Sequence, residues 1–103
     1  MDPAIKAEWV KALRSGNYDQ CNGYLRLGNS FCCLGVLCDI GARKAWDKHG
    51  NYTTPNGELR SACLPSFIGD YVGLSSDDAL ALSTMNDRGW TFDAIANHIE
   101  ENL

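Results

Sequence analysis

Residues 31–42 read Phe-Cys-Cys-Leu-Gly-Val-Leu-Cys-Asp-Ile-Gly-Ala, the most apolar stretch of the chain, and any fold the chain adopts must bury it. It falls short of the roughly 20 apolar residues that a membrane-crossing helix needs, and no other stretch reaches that length. A segment this short fits a buried strand or a buried helix, and periodicity alone does not separate the two. Ser30 as a cap, followed by Phe31, Leu34, Leu37, Cys38 and Gly41 at helical spacing, favours a helix over 31–42. Gly35 within it marks a point where another backbone segment approaches closely.

Two further segments have to cover this one. Over residues 3–15, Asp2 and Pro3 give a helix start, Ile5, Trp9, Ala12 and Leu13 form one apolar face, and Gly16 ends the helix. Near the other end, Thr91 caps a helix lined by Phe92, Ile95, Ala96, Ile99 and Leu103. Between these lie a shorter helix opened by Pro65 and ended by Gly73, and a helix over 77–85 capped by Ser75 or Ser76 with Asp77 and Asp78 at its positive end. Tyr24–Leu27 fits a short strand or a loop. Turn-rich residues 46–60, with Asn56-Gly57, predict a small hairpin or a loop held by Trp46 and Tyr52. The expectation is an α+β fold: one mainly helical domain spanning residues 1–103, with a short β-hairpin or irregular β segment. Its core is predicted to contain Trp9, Leu13, Leu34, Leu37, Cys38, Phe92, Ile95 and Ile99.

Charge narrows the partners. Residues 1–60 carry eight Lys/Arg against six Asp/Glu, whereas residues 61–103 carry Arg88 alone against seven acids. A duplex nucleic acid needs a basic face, and the acidic half supplies none. No basic leader with an apolar core opens the chain, so a cytoplasmic location is expected, without membrane attachment. Five cysteines, an odd number with no secretory signal, argue against a disulfide framework, and their spacing against a zinc site. Reduced, buried thiols are expected, with no metal and no cofactor. Cys32 or Cys33, near a helix start, with His49 or His98 as base, is the alternative of a small cysteine hydrolase.

The polar residues of the first third hold the candidate binding set. Arg14, Tyr18, Gln20 and Arg26 lie around glycines that let backbone amides approach a ligand, and Arg forks match phosphate oxygens. Tyr18 or Trp46 supplies a ring to stack on a base. The competing reading pairs both arginines with nearby acids or helix-end carbonyls. If the set is a site, Arg14 and Arg26 should face one concavity shared with Tyr18 or Gln20.

Trp9-x3-Leu13-Arg14-Ser15-Gly16-x-Tyr18-x-Gln20-x2-Gly23-x-Leu25-Arg26, Phe31-Cys32-Cys33-Leu34-Gly35-Val36-Leu37-Cys38-Asp39, Leu64-Pro65, Gly73-Leu74 and Leu82-x3-Asn86-Asp87-x-Gly89-x2-Phe92-x2-Ile95-Ala96-x2-Ile99-Glu100 together resemble a family of small tailed-phage proteins. The resemblance covers nearly the whole chain apart from about 43–62. It implies a viral accessory protein acting in the host cytoplasm against host defence. The expected mode is non-enzymatic sequestration of a small anionic nucleotide-like signal; the alternative is inhibition of a host defence protein by direct binding. A homo-oligomer is compatible with either.

Overall fold

The computed structural model describes residues 1–41, 52–53, 59–60, 64 and 66–103. Among these are five helices, the apolar segment itself forming the second: α1 (Pro3–Arg14), α2 (Cys33–Gly41), α3 (Ser66–Val72), α4 (Ser76–Asp87) and α5 (Phe92–Asn102). A three-stranded sheet precedes α2, formed by β1 (Asp19–Gln20), β2 (Arg26–Leu27) and β3 (Ser30–Phe31) in the order β1-β3-β2. β4 (Tyr52–Thr53) pairs antiparallel with β5 (Leu59–Arg60). The fold is α+β and mainly helical, as the sequence predicts. The Asn56-Gly57 turn expected in the hairpin lies outside the described residues, as does Trp46.

Helix ends form where the sequence placed them. The Asp2 carboxylate accepts from the amides of Ala4 and Ile5, at 2.9 and 3.0 Å, with Pro3 at the first helical position. Gly16, at φ 77°, turns the chain out of α1. The hydroxyls of Ser75 and Thr91 cap α4 and α5. The eight expected core residues are all buried, joined by Leu25, Val36, Val72 and Leu82. α1 packs most extensively on α5 and next on α2, which is wedged between α1 and α4. The buried Trp9 indole fixes one of these contacts, donating to the Cys33 carbonyl at 2.9 Å.

Two boundaries differ from expectation: α4 runs on to Asp87, past the expected end at residue 85, and α2 starts late. Ser30 and Phe31 are strand, and the helix begins at Cys33. The sheet captures them: Phe31 pairs with Arg26 on one side and Gln20 on the other, and the Cys32 amide still donates to the Leu25 carbonyl at 3.1 Å. Gly28, at φ 62°, allows the two-residue turn between β2 and β3. Gly35 is the point of close approach: a Cβ there would stand 1.8 Å from the Leu25 carbonyl oxygen.

Candidate functional site

The four described residues of the candidate set go to three places. Arg14, in the last turn of α1, reaches across to α5, where its guanidinium donates to Glu100 at 2.9 Å and to Asn97 at 2.6 Å. Gln20 turns toward the end of α4 and donates to Asn86 Oδ1 at 3.0 Å and to the Trp90 carbonyl at 2.6 Å. Tyr18 and Arg26 do meet, on the ring of Phe31. Tyr18 packs edge-on against it with centroids 5.0 Å apart, and the Arg26 guanidinium carbon lies 5.1 Å from the ring centre. The single concavity shared by both arginines is therefore not formed. The Trp9 and Leu13 stripe turns the end of α1 toward α5, and the segment after Gly16 is tied to α4 instead of folding back over the helix it left.

The Tyr18–Phe31–Arg26 cluster includes a polar contact with α2. The Tyr18 hydroxyl donates to Asp39 Oδ2 at 2.6 Å, and Arg26 Nε donates to the Gly28 carbonyl at 2.8 Å. Burial, then the hydrogen bond to Asp39 and its negative charge, push the Tyr18 phenol up to about 12. Tyr18 is thus held as a neutral donor, a positioning contact between the 15–20 segment and α2.

The tie to α4 is Asn86, a fully buried polar residue just past the 77–85 span expected for this helix. Its Oδ1 accepts from Gln20 and from the buried Cys33 amide at 3.1 Å, and its Nδ2 donates to the Cys21 carbonyl at 2.7 Å. Next to it, Asp87 accepts from the Gly23 amide at 2.9 Å. The Asn86-Asp87-x-Gly89 motif therefore clasps residues 20–23 and the start of α2, and every hydrogen-bonding group of Asn86 is engaged within the fold. Among the described residues no buried side-chain nitrogen or oxygen lacks a partner.

Of the described candidate residues, Arg14 also borders a ligand-sized concavity. A groove of about 790 Å³ runs along α1, lined by Lys6, Val10, Lys11 and Arg14 with Glu100 on its far lip. Two more flank the outer face of α4. One, of about 470 Å³, is lined by Leu34, Leu64, Leu74, Ala79 and Leu80; the other, of about 420 Å³, by Leu80, Met85, Thr84, Arg88 and Trp90. Leu80 stands on the ridge they share, 69% exposed, with Trp90 43% exposed beyond it. Asp70 lies in the first groove and Asp77 in the second. α4 is apolar on two sides: Leu82 enters the core while Leu80 faces out. A helix with one packed and one exposed apolar side is a candidate contact surface.

A family profile described as a domain of unknown function, DUF8296, matches residues 1–68. The chain belongs to the DUF8296 family. The DUF8296 span takes in α1, the three-stranded sheet, α2 and the opening of α3, and so all five residues of the candidate set; α4 and α5 lie beyond it. No curated protein and no solved structure matches the chain.

Within the DUF8296 span the described thiols sit in surroundings opposite to those that activate a nucleophile. Burial drives Cys32 up to about 11, and Cys33 and Cys38 upward as well. Cys33 Sγ donates to the Leu82 carbonyl at 3.5 Å, binding α2 to α4. His98 is on α5, where its ring meets the side chain of Asn102; His49 lies outside the described residues. Among the described residues no group of three or more His, Cys, Asp or Glu is arranged to hold a metal, and no helix is long and apolar enough to cross a membrane.

Proposed function

We propose that this chain is a phage accessory protein that works by stoichiometric binding, and that it blocks a host defence protein by docking through the outer face of α4. The observation that carries this reading is the exposed Leu80 ridge with Trp90 beside it, bounded by two grooves. Trp is a favoured interface anchor, and a large aliphatic side chain left in water gains most by being covered. Charge selects the partner. The ridge is flanked by Asp70 in one groove and by Asp77 in the other, where Arg88 is the one Lys/Arg of the 61–103 segment, so a surface bearing Lys and Arg around an apolar hollow is complementary. The resemblance to small tailed-phage proteins supports a host protein as that partner.

Host lysate passed over immobilised wild-type protein and over Leu80→Asp tests the reading. A host protein retained in stoichiometric amount by wild type and by Arg14→Ala, lost with Leu80→Asp and released as salt is raised, is the expected result. Equal retention by Leu80→Asp, shown folded by circular dichroism, refutes it.

Sequestration of a nucleotide-type signal is the second reading, and the α1 groove is what favours it. Lys6, Lys11 and Arg14 place three cations on one concavity of a protein with net charge −4. A tight ligand must raise the melting temperature. Nucleotide second messengers that leave it unchanged at millimolar concentration count against this reading.

A further inference from the structure

β1 and β3 run parallel with Asp19 opposite Ser30 and Gln20 opposite Phe31. The next residues in step are Cys21 and Cys32. Both are still held by the ladder: the Cys21 amide donates to the Phe31 carbonyl at 2.9 Å, and the Cys32 amide donates to the Leu25 carbonyl at 3.1 Å. Neighbouring strands lie about 4.7–4.9 Å apart, and in-step residues of parallel strands project to the same face. That spacing falls inside the roughly 4.4–6.8 Å between Cα atoms that a disulfide requires.

We propose that Cys21 and Cys32 are an oxidisable pair that closes an intramolecular disulfide when the protein meets a low-molecular-weight disulfide such as oxidised glutathione. The two thiols differ in access, which assigns their roles. Cys21 is half-buried, its Sγ in weak contact with the Tyr24 carbonyl at 3.6 Å, whereas Cys32 is 5% exposed and its Sγ accepts from the Gly35 amide at 3.3 Å. Cys21 is the sulfur an incoming disulfide reaches. Its thiolate attacks one sulfur of the small disulfide, forming a mixed disulfide and releasing one small thiol. Cys32, having lost its proton to solvent, then attacks the Cys21 sulfur, forming the Cys21–Cys32 bond and expelling the second small thiol. Two protein thiols are oxidised and one small disulfide is reduced to two thiols. The Gly35 amide at the start of α2 favours the Cys32 thiolate in this second step. Burial raises both thiols above their ordinary range, so the reaction is slow at neutral pH and quickens as pH rises. Cys33 and Cys38 do not compete, since Cys33 is committed to Leu82 across the α2–α4 contact and Cys38 is fully buried. The bond would staple β1 to β3 and with them the segment that positions Gln20 and Arg26.

Trypsin separates the partners, because cleavage after Arg14, Arg26 and Arg43 leaves Cys21 in peptide 15–26 and Cys32, Cys33 and Cys38 in peptide 27–43. Reduced native protein is incubated with oxidised glutathione, then unfolded in guanidinium containing N-ethylmaleimide and digested without reduction. The expected product is the two peptides joined, with Cys33 and Cys38 carrying maleimide, and an intact mass lower than the reduced protein by two hydrogens before capping. Cys32→Ser is expected to stop at a glutathione adduct on Cys21. A wild-type protein that also stops at that adduct, a link from Cys21 to Cys33, Cys38 or Cys63, or no reaction at mildly alkaline pH overturns the proposal. The wild-type map decides even if the variant does not fold.

Discussion

Replacing Asn86 with Ala is the sharpest probe of how this fold is held. The change removes the acceptor for the buried Cys33 amide and a donor to the part-buried Cys21 carbonyl. A buried polar group left without its partner costs about 1–3 kcal/mol, so two come to at most about 6 kcal/mol and no less than about 2 kcal/mol. A chain of this length has a total stability of about 5–15 kcal/mol, and each kcal/mol lowers its melting temperature by about 4–8 °C. The expected loss is thus a large share of the total, with a melting point lower by at least about 8 °C and by as much as about 48 °C. Urea unfolding followed by the fluorescence of buried Trp9 measures it, since a shift in midpoint at constant slope reports stability alone. Gln20→Ala is the control. Gln20 bonds the same Asn86 oxygen from an exposed position where water replaces it, and its loss should cost under about 1 kcal/mol. If Asn86→Ala costs no more than Gln20→Ala, the clasp is not what joins α4 to the sheet, and the reasoning fails.

Two other perturbations have defined outcomes. Gly35→Ala places a methyl 1.8 Å from the Leu25 carbonyl oxygen, a main-chain atom that cannot rotate away, so it should cost more than about 3 kcal/mol and leave the protein largely unfolded by circular dichroism. Ultraviolet titration should show Tyr18 ionising near 12, above the ordinary 10.0, and Asp39→Asn should lower it only part of the way because burial, the largest cause, persists. As the phenol holds its proton more tightly folded than unfolded, its contribution is complete below pH 10 and is lost as pH rises toward 12.

The helices were legible because each carries its own signals: Asp2-Pro3 and Gly16 bracket α1, and Thr91 followed by Phe92, Ile95 and Ile99 announces α5. The three-stranded sheet was not, since strands of two residues are too short for alternation to register. The Gly28-Asn29 pair between Leu27 and Ser30 is a hairpin signal that the sequence does contain. It also explains why Phe31 left the helix, as strand pairing competed with a helical spacing that residues 33–41 satisfy unaided. Gly35 was readable as a close approach, though its neighbour was not. The candidate site fared differently. Arg14, Tyr18, Gln20 and Arg26 are near in sequence, but their directions depend on α5, α2 and α4, contacts that local reasoning cannot supply. Asn86 was overlooked because a buried amide and a turn amide look the same until its partners, more than fifty residues away, are placed.

The packing of α1 on α5 also sets a timetable. Arg14 and Glu100 are joined across 86 residues, and α1 finds its largest cover in α5, which is made well after it. At about 5–20 residues per second, the ribosome takes several seconds to deliver α5 after α1 has emerged. Throughout that interval the emerging chain has the core-facing side of α1 without its final cover, the kind of transiently exposed apolar surface that chaperones exist to shield. Folding that waits on so distant a contact is slow to begin.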